Sequence, residues 1–209
     1  CTGKYPYYAQ RLWRENGVRL QITDGDREAL QHTVDFVSFS YYSSKVVAAD
    51  ESKYQMANGN VMRGLKNPFV PTSDYDYPID PEGLRYILNY LYDHFHKPLF
   101  VAENGIGARE QLVALPNGVR TVEDDARIQF HRGHIQAMER AIADGVEVFG
   151  YTSWGPIDCV SAASAEITKR YGFVYVDRNQ DGTGTLERFR KKSFNWYKKV
   201  IASNGEDLS

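Results

Sequence analysis

Lys97-Pro98-Leu99-Phe100-Val101-Ala102-Glu103-Asn104-Gly105 places a short apolar run between two residues that interrupt regular structure. Leu99 to Ala102 predict a buried strand, with Glu103 at its carboxyl end. In parallel α/β sheets and barrels that end is where ligands bind. A carboxylate there must face a polar cleft or meet a partner, because burying it unpaired is costly. Taken alone, the stretch allows two readings of Glu103: a catalytic or ligand-binding carboxylate at a strand tip, or a salt-bridged residue that closes a strand.

The sequence on either side repeats the pattern. Upstream, Asp80-Pro81-Glu82 combines an N-cap, a proline at the first helical position and an acid in the first turn. Leu84, Ile87, Leu88, Leu91 and Phe95 then form one apolar stripe. Downstream lies a polar loop, 104–120. Thr121 with Asp124 resembles a capping box opening a helix to about Asp144, with Ile128, Ile135, Met138 and Ile142 inward and Gly145 as its stop. Val146 to Tyr151 predict the next strand, with Trp154 just past its end. A third polar loop, 155–170, precedes a strand at Tyr171 to Val176. Asp177 to Thr185 read as a turn, and Leu186 to Ile201 as a basic amphipathic helix.

Toward the amino end, Val34 to Tyr42 are strand-like. The polar stretch 43–79 that follows carries Tyr54, Phe69, Tyr75 and Tyr77, which argue against disorder. Residues 4–16 and a segment from Thr23-Asp24-Gly25-Asp26 to Gln31 read as short helices. Strands alternating with helices imply a parallel sheet. Long loops after strands and short ones before them are the anatomy of a barrel with its chemistry on one face. A full eight-fold barrel needs about 250 residues. The 209 residues hold three repeats and two preceding helices, so residues 1–209 are expected to form one partial barrel domain.

Composition narrows the partners. A net charge of -2 with scattered Lys and Arg gives no support for nucleic-acid binding. No apolar run is long enough to span a membrane, and Cys1-Thr2-Gly3-Lys4-Tyr5 does not resemble a signal peptide. Two cysteines are too few for a disulfide framework, which sets the expectation of a reducing cytoplasm. Fifteen tyrosines could supply platforms for sugar rings, but they also fill cores.

Four stretches resemble the family 1 β-glycosidases in order: Phe39-Ser40-Tyr41-Tyr42, Val101-Ala102-Glu103-Asn104-Gly105, Gly150-Tyr151-Thr152-Ser153-Trp154 and Arg170-Tyr171-Gly172-Phe173-Val174-Tyr175-Val176-Asp177. Asp80-Pro81-Glu82-Gly83-Leu84-Arg85 and Arg188-Phe189-Arg190-Lys191-Lys192-Ser193 extend the likeness over nearly the whole chain. The match is to the C-terminal portion of the family. It implies the last three strand-helix repeats of a TIM (β/α)8 barrel, with an N-terminal half as partner. It also implies that Glu103 is the nucleophile of a retaining glycosidase and that Tyr42 donates a hydrogen bond to it. Retaining hydrolysis needs two carboxylates about 5–5.5 Å apart. The family's acid/base lies in a Thr-x-Asn-Glu-Pro-type motif, and none occurs here. As written, the chain holds half of the catalytic pair and is expected to be inactive by itself.

The resemblance also reaches the substrate. Most family 1 β-glucosidases carry a Glu-Trp pair after the strand-end tryptophan, here Trp154. In this sequence those positions are Ser161 and Ala162. Losing the carboxylate removes a repulsive charge beside the sugar's O6. The 6-phospho-β-glycosidase branch assigns Ser161, Lys169 and Tyr171 to a phosphate on O6, and a dianion does favour a cation with hydroxyl donors. The plainer reading of Lys169 is a solvated loop lysine paired with Glu166. Trp154 would pack on the sugar. Phospho-galactosidase members keep a tryptophan where Ala162 stands, so the gluco sugar is favoured. The expected activity is therefore hydrolysis of 6-phospho-β-glucosides, without metal or cofactor. The alternatives are a 6-phospho-β-galactosidase and a non-catalytic phosphosugar-binding half-barrel. Asp177-Arg178-Asn179-Gln180-Asp181-Gly182 matches the first half of a calcium loop, but its twelfth position is Arg188, so it reads as a turn. His131 and His134, one helical turn apart, have no third ligand at metal spacing and read as a helix-surface or core pair.

Overall fold

The computed structural model describes residues 1–57 and 64–209. Two short helices, α1 (Ala9–Glu15) and α2 (Asp24–Gln31), precede strand β1 (Val37–Ser40). A two-stranded pair, β2 (Met56–Ala57) and β3 (Gly64–Leu65), lies in the long stretch before α3 (Pro81–Phe95). Then come β4 (Leu99–Glu103), a second pair formed by β5 (Val113–Ala114) and β6 (Arg120–Thr121), and α4 (Asp125–Ala143). The chain ends with β7 (Val148–Tyr151), a third pair formed by β8 (Val174–Val176) and β9 (Arg188–Arg190), and α5 (Lys192–Ala202).

The central sheet has the order β1-β4-β7 with all strands parallel. Leu99 and Val101 point to the helical side, where they meet Leu84 and Leu88 of α3 and Ala141 of α4 in one buried cluster. Alternation along the strands sends Phe100 and Ala102 to the other face. There Phe149 packs edge-on to Phe36 with ring centroids 5.1 Å apart and lies 5.4 Å from Phe100, yet Phe36 and Phe149 remain 45% and 54% exposed. β1 and β7 each pair on one side only among the described strands.

The start of α3 is built as its residues dictate. The Asp80 carboxylate accepts from the Gly83 amide at 3.0 Å, and the Tyr41 hydroxyl donates to the Asp80 carbonyl at 2.7 Å. A Cβ at Gly83 would come within 2.2 Å of that hydroxyl, so only glycine lets α3 sit against the end of β1.

Several expectations are corrected. The capping box at Thr121 does not form. The Thr121 hydroxyl donates to the Arg190 carbonyl at 2.9 Å, and the Asp124 carboxylate is taken by Arg127 and Ser193. Ile142 faces outward. The predicted helix from Leu186 divides: Arg188–Arg190 pair with Val174–Val176 as an antiparallel hairpin outside the parallel sheet, and the helix begins only at Lys192. The first predicted helix is confined to Ala9–Glu15 and the first strand to Val37–Ser40.

A buried ionic cluster ties the loops together. Arg127, fully buried, donates to the Asp124 carboxylate at 3.0 Å, to the Ile106, Tyr171 and Arg170 carbonyls, and to Glu110. Lys191, also fully buried, pairs with Glu110 and reaches Asp158 at 2.8 Å, and Arg170 pairs with Asp158 at 3.0 Å. Removing one member of such a cluster strands its partners' charges in the interior, at a cost of about 3–5 kcal/mol. Arg127→Met should therefore lower the unfolding free energy by that amount in urea titration, and Arg127→Lys should recover only part of it, since an ammonium lacks the fork of five donors. A loss below about 1 kcal/mol for Arg127→Met would show that the cluster is dispensable.

Candidate active site

Glu103 sits at the carboxyl end of β4, and the Tyr42 hydroxyl donates to its Oε2 at 2.9 Å. The backbone laces the two strand ends together. The Tyr41 amide donates to the Glu103 carbonyl at 2.8 Å, and Asn104 Nδ2 donates to the Tyr41 carbonyl at 2.8 Å. Burial first, and then the bond to Glu103, push the Tyr42 hydroxyl well above its ordinary range, so it remains a neutral donor.

Asn104 is bonded through both its side chain and its carbonyl. Its side chain is fully buried, and its Oδ1 accepts from the Tyr151 hydroxyl at 2.7 Å. The Tyr151 oxygen lies 2.9 Å from His131 Nδ1. Since Tyr151 gives its proton to Asn104, we assign the Nδ1–H tautomer to His131, donating to Tyr151. The Trp154 amide donates to the Asn104 carbonyl at 2.8 Å, which fixes the end of β7 against the end of β4.

These strand ends open onto a cleft of about 500 Å³, whose walls include Tyr42, Glu103, Trp154, Ser161, Tyr171 and Tyr77. Ser161 is held by a tight turn in which its amide and carbonyl bond to Glu166 and Ala165, both at 2.9 Å. The remaining residue expected at the site, Lys169, lies behind the wall. It is 2% exposed, and its Nζ donates to the Tyr77 hydroxyl at 2.7 Å. No ion pair joins it to Glu166 among the described residues, and it is not a solvated lysine. Burial lowers its ammonium below the usual lysine range, and the charge of Glu166 opposes that shift. A Cβ at Gly107 would lie 2.8 Å from Lys169 Cγ, so the lysine's channel depends on glycine there.

The structure thus brings Tyr42, Glu103, Trp154, Ser161 and Tyr171 to one cleft and sets Lys169 one hydroxyl away. Sequence reading missed Tyr77, whose only signal was its place among the loop aromatics. It also missed Arg127 and Lys191, because buried charges on polar stretches look like solvated ones. The Asp177–Gly182 segment is a turn in which Asp177 and Asp181 accept from Thr185 and Thr183. Among the described residues, no group of His, Cys, Asp or Glu is arranged to hold a metal ion, and no helix is long and apolar enough to cross a membrane.

The profile of Glycosyl hydrolase family 1 matches residues 1–206, and the chain belongs to that family. It is 54% identical over its full length to a 6-phospho-beta-glucosidase of Clostridium longisporum and 50% identical to an aryl-phospho-beta-D-glucosidase of Bacillus subtilis. A 6-phospho-beta-galactosidase of Clostridium acetobutylicum is 33% identical over 95% of the chain. The chain spans 44% of the length of each of these relatives. A beta-glucosidase of Thermotoga maritima solved with deoxynojirimycin matches with a TM-score of 0.74 at 29% identity, over 98% of this chain and 42% of that one.

The histidines behind the site make stability depend on pH. Burial, with the Arg127 charge and His134, holds His131 well below the usual imidazole range. Burial brings His134 to about 4, against the opposing bond to the Phe130 carbonyl. The unfolded chain binds protons below about pH 6.5 that this native site refuses, so stability is complete above that pH and falls as pH drops toward 4. At ~1.4 kcal/mol per pH unit, His134 should account for about 2 kcal/mol of loss between pH 6.5 and 5. Urea midpoints of His134→Gln should fall less over that interval than those of the parent; an equal fall would exclude His134 as a source.

Proposed function

We propose that this chain is the C-terminal part of a TIM (β/α)8 barrel and supplies the nucleophile and the phosphate-binding wall of a retaining 6-phospho-β-glucosidase. The observation that carries the proposal is the cleft. It combines a strand-tip carboxylate held by a tyrosine hydroxyl with two hydroxyls, of Ser161 and Tyr171, and a lysine one bond behind. No carboxylate occupies position 161 or 162. The identity of 50% and above to proteins named as phospho-β-glucosidases supports the same substrate class.

In this reading the Glu103 carboxylate attacks the anomeric carbon as the glycosidic C–O bond breaks, giving a covalent glycosyl-enzyme. A carboxylic acid from the rest of the barrel protonates the leaving oxygen, and water then releases the sugar. Tyr42 orients Glu103, Trp154 packs on the ring, Ser161 and Tyr171 hold the O6 phosphate, and Lys169 adds its charge from behind the wall. Ala162 leaves open the position that a tryptophan fills in galactose-type relatives. The open edges of β1 and β7 and the exposed aromatic face of the sheet support an N-terminal half-barrel as the partner that covers them. A cytoplasmic setting belongs to the same proposal, supported by the cysteine usage.

Two measurements on full-length enzyme test it. Glu103→Gln keeps the shape and removes the nucleophile, so turnover should fall by orders of magnitude while substrate affinity survives. Retention of more than a tenth of the parent turnover would remove Glu103 from that role. Lys169→Ala should lower kcat/KM on an aryl 6-phospho-β-glucoside by roughly 10- to 100-fold. The loss on the non-phosphorylated glucoside should be far smaller. Ser161→Glu should shift the ratio of the two further the same way by setting a carboxylate against the phosphate. Equal losses on both substrates would overturn the phosphate assignment.

A further inference from the structure

We propose that Tyr77 is a specificity-determining residue: its hydroxyl bridges Lys169 to the cleft and donates its own proton to the phosphate of the substrate. The proposal rests on the phosphosugar reading above and adds to it a ligand and a route for the lysine's charge.

The geometry carries it. Lys169 is almost wholly buried and forms no part of the cleft wall, whereas Tyr77, Ser161 and Tyr171 do. An ammonium has three donors and no acceptor. In the 2.7 Å contact between Lys169 Nζ and the Tyr77 hydroxyl, the lysine therefore donates and the tyrosine oxygen accepts. That leaves the Tyr77 proton for a second acceptor. Hydrogen bonds to ionised partners strengthen one another in chains, so a hydroxyl polarised by a cation is a better donor to an anion than an isolated one. Burial pushes the Tyr77 hydroxyl up to about 12, so it keeps its proton under ordinary conditions.

The surroundings hold the bridge in place. Lys169 Nζ lies 4.3 Å from the Tyr77 ring centroid, 5.1 Å from that of Tyr75 and 5.8 Å from that of Tyr171. Aromatic faces stabilise a cation without neutralising it, so its charge remains available to an arriving dianion. The backbone of Tyr77 is fixed by a turn in which its carbonyl accepts from the Ser73 amide at 2.9 Å. The neighbouring Asp74 carboxylate accepts from the Arg109 amide at 3.0 Å, tying this turn to the loop after Glu103.

The test uses full-length enzyme with 4-nitrophenyl β-D-glucoside 6-phosphate and 4-nitrophenyl β-D-glucoside. The readout is the ratio of their kcat/KM values for the parent, Tyr77→Phe, Lys169→Met and the double variant. Phenylalanine keeps the ring against the lysine, and a thermal melt verifies the fold. Tyr77→Phe should lower the ratio about 10-fold, the worth of one hydrogen bond to an ionised group. The double variant should lose clearly less than the product of the single losses, because the two groups act as one chain. A ratio unchanged in Tyr77→Phe but lowered in Lys169→Met would overturn the role of Tyr77 and leave the phosphate reading standing. A ratio unchanged in both would overturn the phosphate reading itself. Fully multiplicative losses would mean that Tyr77 does not relay the charge of Lys169, and equal losses on both substrates would reduce Tyr77 to a structural role.

Discussion

Arg127 uses every N–H of its guanidinium inside the protein, on the Asp124 and Glu110 carboxylates and on the carbonyls of Ile106, Arg170 and Tyr171. Those partners belong to the loop after β4, the start of α4 and the loop after β7. Lys191 and Arg170 extend the cluster to Asp158 and to the segment between β9 and α5. Three loops are thus bound to one charged point, which adds to the backbone bridge between Ala108 and Arg170. Buried charges confer little net stability when fully paired, but misplacing any of them is costly. The cluster therefore acts mainly on geometry: it fixes the chain between Lys169 and Tyr171, through the carbonyls of Arg170 and Tyr171, relative to Glu103.

The second constraint is the hydrogen-bonded lacing of the strand ends. Asn104 joins the end of β1 to the end of β4 through the Tyr41 carbonyl. Through Tyr151 and His131 it also joins both to α4. Neutral buried imidazole suits this role, since a charged ring would have to be desolvated beside Arg127. The result is a cleft with a rigid floor, while the opposite sheet face, with Phe36, Phe100 and Phe149, is left without cover by the described chain. Rigidity lies where the chemistry is proposed, and the exposed aromatic face lies where the proposed N-terminal half-barrel would pack.

Much of this was readable from residue order alone. The apolar run before Glu103, the Asp80-Pro81 helix start and the alternation of strands with helices specify local structure through short-range periodicity and capping, and the structure has them in those places. The family resemblance implied one site for Tyr42, Glu103, Trp154, Ser161 and Tyr171, and the structure places all five on the wall of one cleft. Local rules failed where distant partners competed. Thr121 and Asp124 have cap chemistry, yet the Thr121 hydroxyl donates to the Arg190 carbonyl and the Asp124 carboxylate accepts from Arg127 and Ser193, because a bond that also satisfies a buried group outweighs one exposed to water.

By itself, then, the sequence determined the order of the parallel strands and their helices and the strand-tip glutamate, since these depend on neighbours a few positions apart, while the other cleft residues were legible only through the family resemblance. Only the tertiary structure decided which charges are interior. Arg127, Lys191 and Lys169 lie in polar stretches indistinguishable from solvated ones, and their burial depends on partners brought from tens of residues away. It alone decided that Arg188–Arg190 form a strand instead of the first turn of a helix, because the deciding hydrogen bonds come from Val174–Val176. It also decided that Lys169 meets the Tyr77 hydroxyl and not the Glu166 carboxylate. That choice was set by the space left at Gly107 and by the aromatic rings around the ammonium, neither of which is written into the spacing of the residues involved.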